Sequence, residues 1–239
     1  MSAVEFEAAE AADSESPVSA TGKPLTKRGA ATRRRILEAA EDVFASLGYH
    51  EASIVKITER AGVGLGTFYL YFDGKQQVFE ELVIDLNRRV RHSMTEAMTG
   101  ATSRVDAERA GFEGFFRFTA AHPALYRVVR EAEFVSPETL RLHYTRIVDG
   151  YEAGLRAAQV DGDVDPGLDP EITAWALMGA GELIGMRFLL WERDENGAPP
   201  AEMPDAVVSQ LARFIRNALT ARTPQPAHPL STEERDDHA

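Results

Sequence analysis

Ser53-Ile54-Val55-Lys56-Ile57-Thr58-Glu59-Arg60-Ala61-Gly62-Val63-Gly64-Leu65-Gly66-Thr67-Phe68-Tyr69-Leu70-Tyr71-Phe72 is the stretch whose reading decides the fold. Ser53 is a good N-cap residue, Ile54, Ile57 and Ala61 recur on one helical face, and Gly62 supplies the left-handed stop. Gly64 to Phe72 predicts a second, aromatic-rich helix. Two short helices joined by a tight glycine turn make a helix-turn-helix, a device that lays its second helix in the major groove while the first braces it across the backbone. Val63 and Ile57 can pack the two helices together. Gly64-Leu65-Gly66 permits close approach to a duplex, and Thr67 and Tyr69 bring hydroxyls within reach of phosphate oxygens.

Upstream, Thr32 is read as the N-cap of a first helix, with Ile36, Ala40, Val43, Phe44 and Leu47 at helical spacing and Gly48 as its stop. Downstream, Asp73-Gly74 breaks the pattern before a long amphipathic helix from Lys75 through Val78, Leu82, Leu86, Val90 and Met94, closed by Gly100. Further helices are predicted at about 105–121, 123–134, 137–159, 170–192 and 205–221, separated by Pro- or Gly-bearing turns. No stretch shows sustained alternation, so the expected fold class is all-α. The expected organisation is a disordered tail at 1–26, a DNA-binding domain at 27–74, an effector-binding and dimerisation domain at 75–222, and a second tail at 223–239.

The 239 residues are 44% apolar and 27% charged, enough for one large or two small domains with real cores. A net charge of −12 looks unfavourable for a nucleic-acid partner, which needs positive surface. The distribution decides otherwise: residues 21–91 carry twelve basic against nine acidic side chains, whereas residues 92–229 carry thirteen against twenty. The excess is crowded into Lys23, Lys27, Arg28, Arg33, Arg34 and Arg35 at the entrance to the first helix.

Cysteine is absent, which excludes disulfides, thiolate metal sites and cysteine nucleophiles, and fits a reducing compartment; a cytoplasmic location is expected. The segment Met1 to Ala20 carries five acidic residues and no basic one, the opposite of a secretory or transit peptide. Trp175 to Trp191, the most apolar run, is interrupted by Glu182 and Arg187 and is short for a bilayer core of about 30 Å. A buried helix, and no membrane partner, is expected there. Asp161, Asp163 and Asp165 imitate a calcium loop, but Pro166 stands where glycine is required and Ile172 where the closing Glu belongs. Neither a metal site nor a cofactor is expected, and no nucleophile with a base or pair of carboxylates marks a catalytic centre.

Residues 32–79, and more loosely the whole chain, resemble the TetR family of bacterial regulators. The family's Phe-x-x-x-Gly-Tyr/Phe turn is similar to Phe44-Ala45-Ser46-Leu47-Gly48-Tyr49. Its Ala-Gly-Val corresponds to Ala61-Gly62-Val63, and its Gly-Thr-Leu/Phe-Tyr-x-Tyr/His-Phe to Gly66-Thr67-Phe68-Tyr69-Leu70-Tyr71-Phe72, followed by Lys75. The resemblance implies phosphate contacts from Thr67, Tyr69 and Lys75, with Ser53 near the backbone and Phe68 and Phe72 in the core. Candidate DNA-binding residues are thus Arg33, Ser53, Gly64, Leu65, Gly66, Thr67, Tyr69, Tyr71 and Lys75. Two positions depart from the family: the small polar and basic pair usual before Gly66 is Gly64-Leu65, and the frequent His after the first Tyr is Leu70. Polar base readout is therefore sparse, and Leu65 is suited to a thymine methyl.

The second half carries aromatic and thioether side chains on several helix faces. Candidate ligand contacts are Phe112, Phe116, Tyr126, His143, Tyr144, Trp175, Met178 and Glu182, of which His143 and Glu182 are polar groups in apolar stretches that either pair internally or orient a ligand. Gly181, Gly185, Phe188, Val207, Leu211 and Phe214 are candidates for a two-fold, four-helix dimer interface, as the resemblance implies. These expectations describe a homodimer that represses from palindromic double-stranded DNA and is released by a small, largely apolar effector such as a fatty acyl thioester, steroid-like molecule, drug or polyketide. The alternative is a ligand-independent DNA-binding or helical protein-interaction module.

Overall fold

The computed structural model describes residues 18–220 except 194, 196 and 198; the expected tails at 1–17 and 223–239 lie outside the described residues. Within them the chain is all-α: α1 (Lys27–Glu51), α2 (Ile54–Ala61), α3 (Leu65–Phe68), α4 (Lys75–Met98), α5 (Arg104–Ala121), α6 (Ala124–Val135), α7 (Pro137–Asp161), α8 (Pro170–Gly185) and α9 (Asp205–Leu219).

Helix α1 starts earlier than its apolar repeat. Thr26, not Thr32, is the N-cap, its side chain accepting from the Gly29 amide, and Thr32 sits inside the helix with its hydroxyl donating to the Arg28 carbonyl. Ala30, Ala31 and the arginines that follow are strong helix formers, so the helix extends through a segment that carries no core-facing stripe. Residues 18–26 are likewise ordered into a turn where the end of a disordered tail was expected. Val18 bridges Pro24, Gly22 donates to the Ser19 carbonyl, and the Ala20 amide donates to the Leu70 carbonyl at 3.1 Å.

The helix-turn-helix forms as its caps dictate. The Ser53 side chain accepts from the Lys56 amide, and Gly62 adopts φ 63, ψ 39, a left-handed geometry that Gly enters without a Cβ penalty. The second helix is shorter than expected: α3 ends at Phe68, and tight turns closed by Leu70, Tyr71 and Phe72 amides carry the chain to Asp73. Phe44, Phe68, Phe72 and Phe79 are fully buried beneath this unit, with Phe44 and Phe79 edge-to-face at 5.3 Å. Truncating such a residue to Ala typically costs about 3–5 kcal/mol.

Helix α4 serves both halves. Its first turns put Phe79 against Phe44 and Tyr49 of the N-terminal unit, while Leu86, Val90 and Met94 on the same stripe continue into the larger bundle. Its most extensive partner is the antiparallel α5, where Gly114 lets the backbones close: a Cβ there would sit 2.6 Å from the Ser93 carbonyl oxygen.

The end of α1 docks on α6. Gly48 leaves helical geometry at φ 79, Arg127 donates to the Ala45 carbonyl at 2.7 Å, and the Tyr49 amide donates to Glu131 Oε2 at 2.7 Å. Carbonyls left over at a helix end are thereby satisfied by a side chain of the second half.

The apolar run at 170–192 was expected to be one buried helix. Instead α8 ends at Gly185, Met186–Leu190 widens into a π-helical turn in which the Trp191 amide reaches back to the Met186 carbonyl, and one face stays outside the core. Ile172, Trp175 and Leu183 on that face are exposed by 71%, 44% and 62%. Pro170–Leu190 is long and apolar enough to cross a membrane by length and composition.

Candidate nucleic-acid interface and effector cavity

The outer face of the helix-turn-helix is unusually apolar for an exposed surface. Leu65, Tyr69 and Leu70 are 48%, 49% and 62% exposed, Gly64 and Gly66 are open with no atom near a would-be Cβ, and Thr67 is half-buried beside them. Exposed apolar groups crowded into one small patch mark a contact surface. Lys23, Lys27, Arg28, Arg34 and Arg35 are exposed along the entrance to α1, and the turn at 18–24 is tied to the recognition segment through Ala20 and Leu70. Sequence reasoning missed that tie, because no local signal marks an isolated hydrogen bond between segments fifty residues apart in the chain.

Four of the expected DNA contacts are occupied internally. Arg33 pairs with Glu81 and lies over the Phe72 ring, its charge held in a half-buried position. Lys75 donates from Nζ to the Tyr49 and Ala52 carbonyls at 2.8 and 3.0 Å and sits 4.3 Å above the Tyr49 ring. It closes the loop after α1, the work of a cation at a helix C-terminus. Tyr71 is half-buried against the core. Ser53 is engaged as the α2 cap.

In the second half, α4, α5, α6, α7 and α8 line a cavity of about 50 Å³ that is partly open to the surface. At about 10–15 Å³ per water position, that is room for a few waters, so a ligand of any size must open it. Phe112, Tyr126, His143, Tyr144, Met178 and Glu182, all expected ligand contacts, line it together with Phe115 and Tyr151. Phe116 and Trp175 do not. Phe116 is 1% exposed in the core beside Phe112 and Phe115, and Trp175 lies outside Tyr144, partly in solvent. Met94 also lines the cavity; the α4 stripe marks it only as inward-facing, and Phe115 and Tyr151 belong to a bulky aromatic set in which sequence alone does not separate cavity from core.

The polar groups of the cavity are few and directed. Tyr126 donates to the Glu182 carbonyl at 2.8 Å and Tyr144 to Glu182 Oε1 at 3.1 Å. Burial first, and the Glu182 charge second, push both phenols well above their usual range, so they remain donors. His143 is buried against α4, where Asn87 donates to its carbonyl at 2.9 Å and approaches its Nδ1 at 3.2 Å. Burial, helped by the Arg91 charge, lowers the His143 pKa to about 4, and the ring is neutral at physiological pH.

The sequence pattern of the family described as bacterial regulatory proteins, tetR family, matches residues 36–82, the segment whose geometry was described first. Its N-terminal domain is that of the tetR family. The transcriptional regulator YdgC of Bacillus subtilis is 28% identical over 189 residues, covering 77% of this chain and 94% of that protein. Among solved structures, Salmonella enterica GusR superposes with a TM-score of 0.67 at 24% identity, covering 82% of this chain and 98% of the other. The regulator FadR of Bacillus subtilis in complex with stearoyl-CoA gives 0.65 at 18% identity, covering 78% and 98%. These likenesses give the chain the helix-turn-helix of tetR-family transcriptional regulators and their fold, with a larger helical C-terminal part.

The residues expected to form a dimer interface divide in this tetR-family fold. Gly181 and Gly185 turn inward: a Cβ on Gly181 would lie 2.3 Å from Phe112 Cε1, and one on Gly185 2.5 Å from Tyr126 Oη. Their smallness admits α5 and α6 side chains of the same protomer, so they are packing residues and not interface residues. Leu211 is buried within its own subunit, and Phe188 and Val207 are half-buried. Phe214 is 62% exposed on α9, as an interface residue would be.

Proposed function

We propose that two copies of this chain pair through the exposed apolar faces of α8 and α9 and bind a palindromic DNA operator as a repressor, released when a small apolar effector opens the cavity. Ile172, Trp175, Leu183 and Phe214 supply the face that a second copy would cover. A two-fold pair would present its recognition helices about 34 Å apart, one turn of B-DNA. Thr67 and Tyr69 would meet phosphates, Leu65 a thymine methyl, and Arg34 and Arg35 the backbone.

The observation that carries the regulatory reading is the position of α4. At one end Phe79 packs into the helix-turn-helix core and Lys75 holds the loop after α1; along its length Asn87 grips the cavity residue His143. An effector that moves His143 therefore acts on the helix that carries the DNA-binding unit, and a shift of that helix changes the spacing of paired recognition helices. Coupling of this kind is reciprocal, so operator weakens effector binding by the same factor that effector weakens operator binding.

Operator selection from genomic fragments, followed by fluorescence anisotropy across a salt series, tests the DNA half. Tight, salt-dependent binding that Thr67→Val and Tyr69→Phe weaken is the expected result; an absence of any selected sequence sinks it. The small volume of the cavity favours, as a second reading, a DNA-binding protein that answers to no ligand. Operator affinity unchanged by every cavity ligand would support that reading.

A further inference from the structure

Among the described residues, Glu182 is the only formally charged one lining the cavity, since His143 is neutral and no lysine or arginine contributes to the wall. Glu182 is half-buried on α8 and shares the cavity wall with Tyr126, Tyr144, Phe112 and Met178. Its Oε1 accepts from the Tyr144 hydroxyl, while among the described residues no hydrogen bond reaches Oε2 and no cation pairs with the group. The nearby arginines are turned to other partners: Arg130 NH1 to the Met186 sulfur at 3.4 Å, and Arg91 Nε to Asn87 Oδ1 at 3.0 Å. A half-buried carboxylate with no ion-pair partner among the described residues gains from a ligand that supplies the countercharge. The cavity wall is rich in aromatic rings, whose π-faces attract cations and not anions.

We propose that the effector is an apolar amine whose ammonium group binds the Glu182 carboxylate among the rings of Tyr126, Tyr144 and Phe112. The proposal rests on the reading of this cavity as the effector site. It sets the chain apart from a regulator whose ligand is an anionic thioester such as stearoyl-CoA, because a negative head group placed here would meet a second negative charge. The hydrocarbon part of the amine would displace the flexible side chains of Met94 and Met178, which adapt to irregular shapes, and press on His143.

Isothermal titration of the full-length protein with phenylbutylamine, phenylbutanol and phenylbutyrate, and separately with stearoyl-CoA, tests this on one carbon skeleton with three head groups. The expected order is amine, alcohol, carboxylate, with the amine ahead of the carboxylate by about tenfold or more. Glu182→Gln should erase that preference while leaving alcohol affinity unchanged. Tyr144→Phe, which removes the hydroxyl competing for the same carboxylate, should keep it, so the test survives poor folding of either variant. Phenylbutyrate or stearoyl-CoA binding as tightly as the amine, amine affinity indifferent to Glu182→Gln, or no amine binding each overturns the proposal. Amine binding that leaves operator affinity untouched would instead refute the regulatory reading and leave the amine site standing.

Discussion

Asn87, 1% exposed in the middle of α4, donates from Nδ2 to the main-chain carbonyl of His143 on α7 at 2.9 Å, with Arg91 Nε returning a hydrogen bond to Asn87 Oδ1. A buried amide of this kind joins the wall of the cavity to the helix that bears the DNA-binding unit. Asn87→Ala removes the side-chain donor to the His143 carbonyl and the acceptor of Arg91 Nε, and should lower unfolding stability by about 1–3 kcal/mol in urea titrations. It should also reduce the factor by which effector weakens operator binding. An unchanged coupling factor would show that α4 is moved by other contacts.

His143 makes stability depend on pH. Its folded-state pKa of about 4 lies below the ordinary 6.5, so the unfolded chain binds the proton more tightly. The stability from keeping the ring neutral is fully present above about pH 6.5 and is lost as pH falls towards 4, up to about 3 kcal/mol. Comparing urea midpoints of wild type and His143→Gln between pH 7 and about pH 5 should show the steeper fall in the wild type, since the carboxylates are common to both.

Lys75 and the arginines of α1 should separate structure from DNA contact. Lys75 already holds three carbonyls through Nζ, and Lys75→Ala should lower the urea midpoint while leaving the salt slope of operator binding unchanged. Arg34→Ala or Arg35→Ala, at exposed positions, should reduce that slope by about one unit with little effect on stability. The opposite pattern would place Lys75 on a phosphate.

Gly48 has no room for a side chain: its φ is +79, and a Cβ would lie 2.6 Å from Glu131 Oε1 and 2.7 Å from Arg127 NH2. Gly48→Ala should cost about 2 kcal/mol or more and loosen the docking of α1 on α6. Thermal unfolding and amide exchange at Ala45 to Tyr49 would register both effects.

The dimer face is tested by charge. Leu183→Glu and Phe214→Glu, at exposed apolar positions, should halve the mass seen in sedimentation without disturbing the protomer. Gly181→Ala, directed at Phe112, should instead destabilise the protomer by about 1–3 kcal/mol through overpacking and leave association intact.

Where helices begin and end, and which stripes face inward, followed from local chemistry. Ser53 and Gly62 delimit α2 by capping and left-handed geometry, and the period of Val78, Leu82, Leu86, Val90 and Met94 marks the buried face of α4. The ordered motif from Phe44 to Phe72, with the basic cluster before it, already told of a helix-turn-helix, because those residue types at those spacings answer demands that act within a few turns of chain. The start of α1 at Thr26 and the turn at 18–24 were not legible, since one depends on propensity without an apolar stripe and the other on a single hydrogen bond to Leu70.

What the sequence by itself determined is therefore the all-helical class, the helix-turn-helix and most helix limits, all set by interactions between near neighbours in the chain. Only the tertiary structure decided which groups already have partners. Gly181 and Gly185 face Phe112 and Tyr126 instead of a second subunit, Lys75 serves the end of α1, Phe116 is core, and Glu182 is left as the one charge on a small apolar cavity. Helical periodicity tells which side of a helix is buried. The identity of what lies against it is set by the packing of distant segments, and that is where the competition between core, cavity and interface is resolved.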